Sequence, residues 1–380
     1  MSIKDIPPPS ALTLRSRWVL WRNRVLGSVH FQHWAARNIL TRGVARRRAA
    51  AQFDLVAGFV YSQILTAFVE ADLLSFLRDQ LHSDAELAAF TRLSGAAADR
   101  LMRAAAALNL AESPQPGWWT LGQAGAELAP NSGAQAMIRH HHLLYTDLTA
   151  PLALLQSERR QPTALSRFWT YAAPGQAGDG GKGVQDYSAL MAATQPMVVA
   201  EILDRYDFSR HRRLLDIGGG SGMFARTIAA AVPGLELAIF DLPEVVAEAQ
   251  LRFASAPPPR PIALHPGSFK CDPVPMDHDL MTLVRILHDH DDDVAQNLLR
   301  SIFAALPAGG RLLIVEPMAD ESAAPRMGDA YFGFYLWAMG SGRPRSAAEL
   351  TAMLGHAGFA AVRRITTAQP LITSALVATK

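Results

Sequence analysis

The run Leu214-Leu215-Asp216-Ile217-Gly218-Gly219-Gly220-Ser221-Gly222 passes from residues fit for a buried strand into a glycine turn. A helical pattern, Met223 to Ala231, follows directly. Glycines at alternate positions let a backbone turn tightly and come close to a ligand at the helix N-terminus. A nicotinamide fingerprint would ask for a third glycine where Met223 stands. What fits instead is Asp-x-Gly-x-Gly-x-Gly, so Asp216, Gly218, Gly220 and Gly222 are the candidate cofactor loop. Asp216 falls at the carboxyl end of the strand, able to accept from a ligand ammonium or to order the loop. The next apolar run ends in Phe240-Asp241-Leu242-Pro243. Asp241 lies about 20 residues past the glycines, where an acidic residue accepts from ribose hydroxyls.

Working outward, strand-like runs alternate with helical ones: Arg213–Ile217, Leu235–Phe240, Leu280–Arg285, Arg311–Glu316 and Leu371–Ala378. Such alternation implies an α/β domain with a parallel, Rossmann-like sheet, here at the C-terminal end over 184–380. The last run follows Ala360–Ile365 closely, as a terminal antiparallel hairpin would. Residues 173–183, rich in glycine, read as a linker or mobile loop. Residues 51–172 read as mainly helical. Val56, Val60 and Ile64 share one helix face, Leu101, Ala105 and Leu108 another, and Ser83 with Glu86 has capping-box spacing. A Pro/Gly turn at 114–117 between Leu110-Ala111-Glu112 and Trp118-Trp119-Thr120-Leu121 predicts a short hairpin after two helices. That is the outline of a winged helix, a module that binds DNA or makes a dimer interface.

The chain has 380 residues, 49% of them hydrophobic and 18% charged, which supports a sizeable core and argues against disorder. Cys271 is the only cysteine, so an intrachain disulfide and a thiolate metal cluster are excluded. No signal-peptide pattern and no uninterrupted apolar run of membrane-span length is read, so the expected compartment is the cytoplasm. The net charge of +2 is unevenly spread. In residues 1–50, Lys4 and nine arginines stand against Asp5 alone, a net +9, which leaves −7 on the rest. Trp18, Trp21 and Trp34 are interleaved with Arg15, Arg17, Arg22, Arg24 and Arg37. A basic arm with tryptophans suits an anionic membrane surface or a nucleic acid. A solvated arm packed on a partner subunit fits it equally.

The strand ending in Leu283-Val284-Arg285 runs into Leu287-His288-Asp289-His290-Asp291-Asp292-Asp293. Histidines and aspartates in a cluster raise a metal site first. On extended chain, however, His288 and His290 point opposite ways, and the later aspartates suit a helix N-terminus, where carboxylates favour the dipole. The site is therefore read without a metal.

With Asp216–Gly222, Phe240-Asp241-Leu242-Pro243, Leu287–Asp291, Gly309–Glu316 and Gly355-His356-Ala357-Gly358-Phe359 in this order, the chain resembles the plant-type small-molecule O-methyltransferases. These form a dimeric class I family, with bacterial members, that uses S-adenosylmethionine. The resemblance runs from about Phe53 to the C-terminus. It implies a helical, winged-helix-like dimerisation domain before the catalytic sheet. It also implies that His288 is the general base, with Glu316 supporting it and Asp289 beside it. The family's second supporting glutamate falls near Pro344, so that role looks vacant; its usual tryptophan is here His290; and Ser268 and Phe269 stand where the adenine contact falls. Arg285 and Leu242 complete the cofactor candidates. Within the family the likeness is strongest to the carotenoid 1-hydroxyl methyltransferases of purple phototrophic bacteria. It is carried by Arg22–Leu26, Ala57–Gln63 and the run from Gly328 to Ser346.

That likeness implies an apolar acceptor. Tyr331, Phe332, Phe334, Tyr335, Trp337 and Met339 crowd one segment, either a wall that buries a polyene or the core side of a helix. Met191 and His141, the latter within His140-His141-His142, are further acceptor candidates. A phenolic natural product or a tetrapyrrole carbon is the alternative acceptor. A DNA-binding regulator that senses the cofactor, or an inactive dimerisation partner, would be a different class of protein. The expected partners are a small hydrophobic substrate and a second copy of the chain, with no nucleic acid, and membrane contact through residues 11–50.

Overall fold

A computed structural model of the chain describes residues 12–168, 190, 194–196, 198–319, 326–367 and 374–380. The chain divides into two compact units, one of Met1–Leu73 with Asp79–Gln123, the other of Leu74–Arg78 with Ala124–Lys380. The expected linker at 173–183 lies outside the described residues.

The first unit opens with α1 (Leu14–Leu26), α2 (Val29–Arg37) and the 29-residue α3 (Arg42–Glu70). Thr13 and Ser28 cap the first two by accepting from the backbone N–H of Ser16 and Phe31. By length and composition α3 could cross a bilayer, even though Asp54 and Gln52 interrupt its apolar residues. Val56 and Val60 share its face as expected, but that face is exposed: Phe53, Val56 and Phe59 are 63–72% accessible. The capping box of Ser83 and Glu86 starts α4 (Asp84–Thr91), followed by α5 (Gly95–Ala107). The predicted hairpin forms as β2 (Ala111–Gln115) and β3 (Trp118–Leu121), with β1 (His82–Ser83) on the far side of β3. Trp119 seals the motif: it is buried, and its Nε1–H donates to Asp84 Oδ1 at 2.7 Å.

The second unit is built on a seven-stranded sheet in the order β6-β5-β4-β7-β8-β10-β9. Its strands are β4 (Arg213–Ile217), β5 (Glu236–Asp241), β6 (Ile262–Pro266), β7 (Leu280–Val284), β8 (Arg311–Glu316), β9 (Ala360–Ile365) and β10 (Ser374–Thr379). The five strands from β6 to β8 are parallel, and β10 enters antiparallel between β8 and β9. Successive side chains on a strand face opposite ways. Leu215, Ile217, Met281 and Leu283 accordingly share one core with α8 (Asp292–Ala305), while Leu214, Leu280 and Val284 share the other with α7 (Met223–Ala231). Burial on both faces explains the near-continuous apolar strands. The edge strand β6 escaped the sequence reading, because Ile262-Ala263-Leu264-His265-Pro266 is short, half-exposed and closed by proline.

The division at 123/124 differs from the boundary expected at 172. The helix α6 (Ser132–Asp147) and Leu154 and Leu165 share a buried cluster with Tyr335, Leu336, Ala338 and Met339 of α9 (Gly333–Met339). Apolar burial thus joins residues 124–168 to the sheet-bearing unit, a contact about 170–190 residues away in sequence that no local pattern displays.

Candidate active site

The strand order reverses between β4 and β7. Ligands of open α/β sheets bind in the crevice outside the carboxyl ends of the strands at such a point. The glycine loop leaves β4 there. Gly218, Gly220 and Gly222 have φ of 70°, 57° and 78°, the left-handed region that suits glycine. A Cβ on Gly218 would also collide with Ile286 Cδ1, and one on Gly222 would stand 2.5 Å from Phe253 Cζ.

Asp216 is buried beneath this loop. Its Oδ1 accepts from Thr282 Oγ at 2.7 Å, while Oδ2 has no partner among the described residues. Burial raises its carboxyl pKa to about 7, against the pull of the Thr282 bond. Asp241 accepts from the Gly220 N–H through Oδ2 and from the Leu242 N–H through Oδ1, both at 2.7 Å. Burial still raises it to about 6. A Cβ on Gly219 would lie 2.8 Å from the orphaned Asp216 Oδ2, so only a glycine loop keeps that oxygen approachable. An unsatisfied buried carboxylate oxygen is costly alone and suits a ligand that brings an ammonium. Each Asp241 oxygen retains a second lone pair for a ribose hydroxyl. The residues therefore fit S-adenosylmethionine. Gly267 N–H bonds the Asp241 carbonyl at 2.8 Å, which sets the Ser268–Phe269 loop beside the end of β5. Ser268 is held there by a 2.7 Å bond from its N–H to Asp272 Oδ2.

At the end of β7, Arg285 adopts φ 60°, strained for a residue with a side chain, and its Nη1 donates to Thr194 Oγ at 2.6 Å. The chain then enters a 3-10 turn, Leu287–Asp289, rather than the extended conformation expected from the sequence. Within the turn the His290 N–H reaches back to the Leu287 carbonyl, and Asp292 begins α8. The turn buries His288. Its Nδ1 lies 3.4 Å from Glu316 Oε2, which also accepts from the His288 backbone N–H at 3.2 Å; its Nε2 lies 3.1 Å from Asp289 Oδ1. Glu316 ends β8, the parallel neighbour of β7, so the sheet register itself brings it to His288. Burial disfavours the imidazolium, but Asp289 and Glu316 outweigh it, and the His288 pKa lies above its ordinary value. Burial raises the Asp289 carboxyl to about 6, with His288 and Arg285 pulling the other way. His290 faces Phe269 edge-on at 5.2 Å and is pushed down to about 4 by burial, with Lys270 adding to the effect. It therefore stays neutral.

Beside His288 is a small cavity lined by Met137, Arg285, His288, Asp289, Phe332, Tyr335 and Leu336. The Phe332 ring stands 6.0 Å from the His288 ring, edge-on. Within the aromatic segment, Tyr335 and Leu336 belong to the core cluster and also line the cavity. Tyr331 is joined to His141 (hydroxyl to Nε2, 2.7 Å) and Tyr335 to His140 (2.9 Å). Burial holds His141 below its usual value and His140 at about 4, and raises the Tyr331 hydroxyl, so these are neutral pairs set into an apolar wall. Met191 lies outside the described residues. Thr282, Met137 and Leu336 were not singled out in the sequence. Thr282, the lone polar residue in the wholly buried β7, carried a signal; the other two carried none.

The O-methyltransferase domain family matches residues 159–360. Over 370 residues the chain is 40% identical to demethylspheroidene O-methyltransferase of Rhodobacter capsulatus, covering 97% of this chain and 92% of the relative. To the enzyme of the same name from Cereibacter sphaeroides it is 37% identical, covering 94% of each. Among solved structures, human N-acetylserotonin methyltransferase in complex with SAM superposes with a TM-score of 0.73 at 23% identity, covering 88% of this chain and 97% of that one. The pyocyanin biosynthetic protein PhzM does so with a TM-score of 0.74 at 22% identity, covering 88% and 99%. At such identities the likeness is one of fold. The match over more than half of the chain, and relatives this similar over nearly their whole length, place the chain in the O-methyltransferase family, as an S-adenosylmethionine-dependent enzyme rather than a regulator.

Proposed function

We propose that this enzyme methylates the tertiary 1-hydroxyl of an acyclic carotenoid, with His288 as general base. The observation that carries the reading is near-full-length identity of 40% and 37% to two enzymes named demethylspheroidene O-methyltransferase. An apolar wall of Met137, Phe332 and Leu336 beside a buried histidine suits such an acceptor.

The cofactor, when bound, supplies a sulfonium methyl already activated for displacement. Asp216 Oδ2 would hold its ammonium, Asp241 its ribose, and Ser268, Phe269 and Leu242 its adenine, with Arg285 at the end of β7 completing the set. A tertiary alcohol is a far weaker acid than a phenol at about 10, so a free alkoxide is not formed in advance. The acceptor hydroxyl would take the place of Asp289 at His288 Nε2 and give its proton to that nitrogen as its oxygen takes the methyl group, the methyl–sulfur bond breaking with its electron pair left on a neutral thioether sulfur. Glu316 at Nδ1 fixes the tautomer and stabilises the resulting imidazolium, as an orienting carboxylate does for other catalytic histidines. The aromatic wall, with Tyr331, Tyr335 and His141, excludes water and holds the oxygen in line, where positioning supplies most of the acceleration.

The reading extends to partners. A second copy of the chain covers the exposed Phe53, Val56, Phe59 and Val60 of α3. On this reading the basic α1 and α2 meet an anionic membrane surface, and the enzyme is a cytoplasmic one peripheral to the photosynthetic membrane. The test of the acceptor is direct: purified enzyme, methyl-labelled cofactor, and either a 1-hydroxy acyclic carotenoid in detergent or a panel of phenols. Label in the carotenoid, at the tertiary oxygen by mass spectrometry, is the expected result. Turnover of a phenol with none of the carotenoid would overturn the proposal.

A further inference from the structure

The segment Ser341–Arg345 lies directly against the turn that carries His288. Ser341 Oγ donates to the Asp289 carbonyl at 2.8 Å. Arg345 is wholly buried; its Nη1 donates to the Leu287 carbonyl at 2.6 Å and its Nη2 to the His290 carbonyl at 2.7 Å. The same guanidinium binds Asp292 Oδ1 through Nε at 2.9 Å and Nη2 at 2.7 Å. Three carbonyls of the base-bearing turn, those of Leu287, Asp289 and His290, are thus held by two side chains of one segment. Gly342 completes the fit. Its φ is 75°, its N–H donates to Asp291 Oδ1 at 3.0 Å, and any Cβ there would collide with the His288 carbonyl oxygen.

A buried guanidinium is costly unless every donor is matched, and a Lys ammonium cannot serve two carbonyls and a carboxylate in a plane at once. The arrangement therefore specifies geometry more than it adds stability. What it specifies is the stance of the His288 ring between Glu316 at 3.4 Å and Asp289 at 3.1 Å. We infer that Ser341, Gly342 and Arg345 are positioning residues for the proton-taking step, clasping the His288 turn from outside the catalytic pair. The inference rests on the reading of His288 as base. Its physical content, a ring held between two carboxylates by a remote segment, is measurable without acceptor.

The test uses the full-length enzyme with ring-labelled histidine, the His288 signal being assigned by its loss in His288→Gln. Arg345→Lys and Ser341→Ala are titrated by NMR, and kcat, KM and calorimetric cofactor affinity are measured beside them. Loosening the clasp moves the ring away from both carboxylates, so its pKa falls back toward the ordinary value, further in Arg345→Lys than in Ser341→Ala. Misplacement of a reacting group by ~1 Å costs up to about 10²-fold, here in kcat, with cofactor affinity unchanged. Ser341→Thr, which keeps the hydroxyl, restores both readouts. Should Arg345→Lys fail to fold, the Ser341→Ala and Ser341→Thr pair decides alone. An unmoved His288 titration in folded Ser341→Ala and Arg345→Lys overturns the inference, whether or not activity falls. Activity retained in His288→Gln would instead refute the base and leave the titration result standing.

Discussion

His288 Nε2 lies 3.1 Å from Oδ1 of Asp289, its neighbour in the chain, so the nitrogen proposed to receive the proton already faces a carboxylate. The contact raises the His288 pKa above its ordinary value. A base works in its neutral form, so kcat/KM rises with pH through that elevated pKa. Asp289→Asn removes the nearer of the two charges while keeping an acceptor oxygen. The acid limb of the kcat/KM profile then shifts to lower pH. A profile that does not move, measured in a buffer series of constant ionic strength, would show that Asp289 does not tune the base.

His288→Ala tests the base itself. Loss of a general base costs typically ~10²–10⁴-fold in rate. His288 touches neither Asp216 nor Asp241, so cofactor affinity by calorimetry stays within a few-fold. Turnover close to wild type would mean that another group takes the proton.

Asp216 predicts a trade between stability and binding. Its carboxyl pKa is raised by burial to about 7 in the folded chain. The unfolded chain releases the same proton near ~3.9. Because the folded value is the higher one, its contribution to stability is complete below the unfolded pKa and is lost as pH rises through about 7. Asp216→Asn keeps the Thr282 bond and abolishes the buried charge. The variant without cofactor is therefore more stable than wild type by roughly a few kcal/mol at pH 8 and about equal near pH 4. It binds S-adenosylmethionine more weakly. Equal thermal midpoints at pH 8 would contradict the burial of an ionised Asp216.

Asp241→Ala removes the acceptor for the Gly220 and Leu242 N–H groups as well as the proposed ribose contact. Hydrogen bonds to a charged group are worth ~1.5–3 kcal/mol, so cofactor affinity falls by at least about tenfold. Calorimetry with the free cofactor measures it, and an unchanged dissociation constant would remove Asp241 from the ribose site.

Most of the sheet was legible because period and punctuation agree there. Arg213–Ile217 and Met223–Ala231 are read off the sequence at the bounds the structure has, since glycines separate them. Glu316 could be named for its motif, but its approach to His288 depends on the register of β7 against β8, which no local pattern encodes. The 3-10 turn at Leu287–Asp289 was missed for a similar reason. It is held by carbonyl contacts from residues some fifty positions on, and an isolated Leu-His-Asp shows no preference for it. Arg345 stood inside a run distinctive in spelling only. A buried arginine looks like a surface one until its partners are known.

The N-terminal arm gives the last prediction. From Ile6 to Phe53 there is no acidic residue, while nine arginines fall between Arg15 and Arg48. On α1, Trp18 and Trp21 are 55% and 58% exposed, and the Arg22 guanidinium lies 5.2 Å over the Trp18 ring. Trp34 of α2 is 54% exposed. Indoles seat at the headgroup level, and each arginine near an anionic leaflet contributes about 1 kcal/mol, so several suffice for attachment that salt weakens. The expected outcome is that full-length enzyme co-sediments with phosphatidylglycerol-containing vesicles at low salt and is released as salt rises. Deleting residues 1–41 leaves α3 intact from Arg42 onward. If α1 and α2 serve the membrane and α3 the second copy, the truncated protein remains a dimer by light scattering, keeps cofactor affinity, and no longer sediments with vesicles. If the arm instead wraps the partner subunit, truncation yields monomer or a lowered thermal midpoint, with vesicle binding absent from the outset. Indifference of the full-length enzyme to anionic vesicles at low salt refutes the membrane assignment.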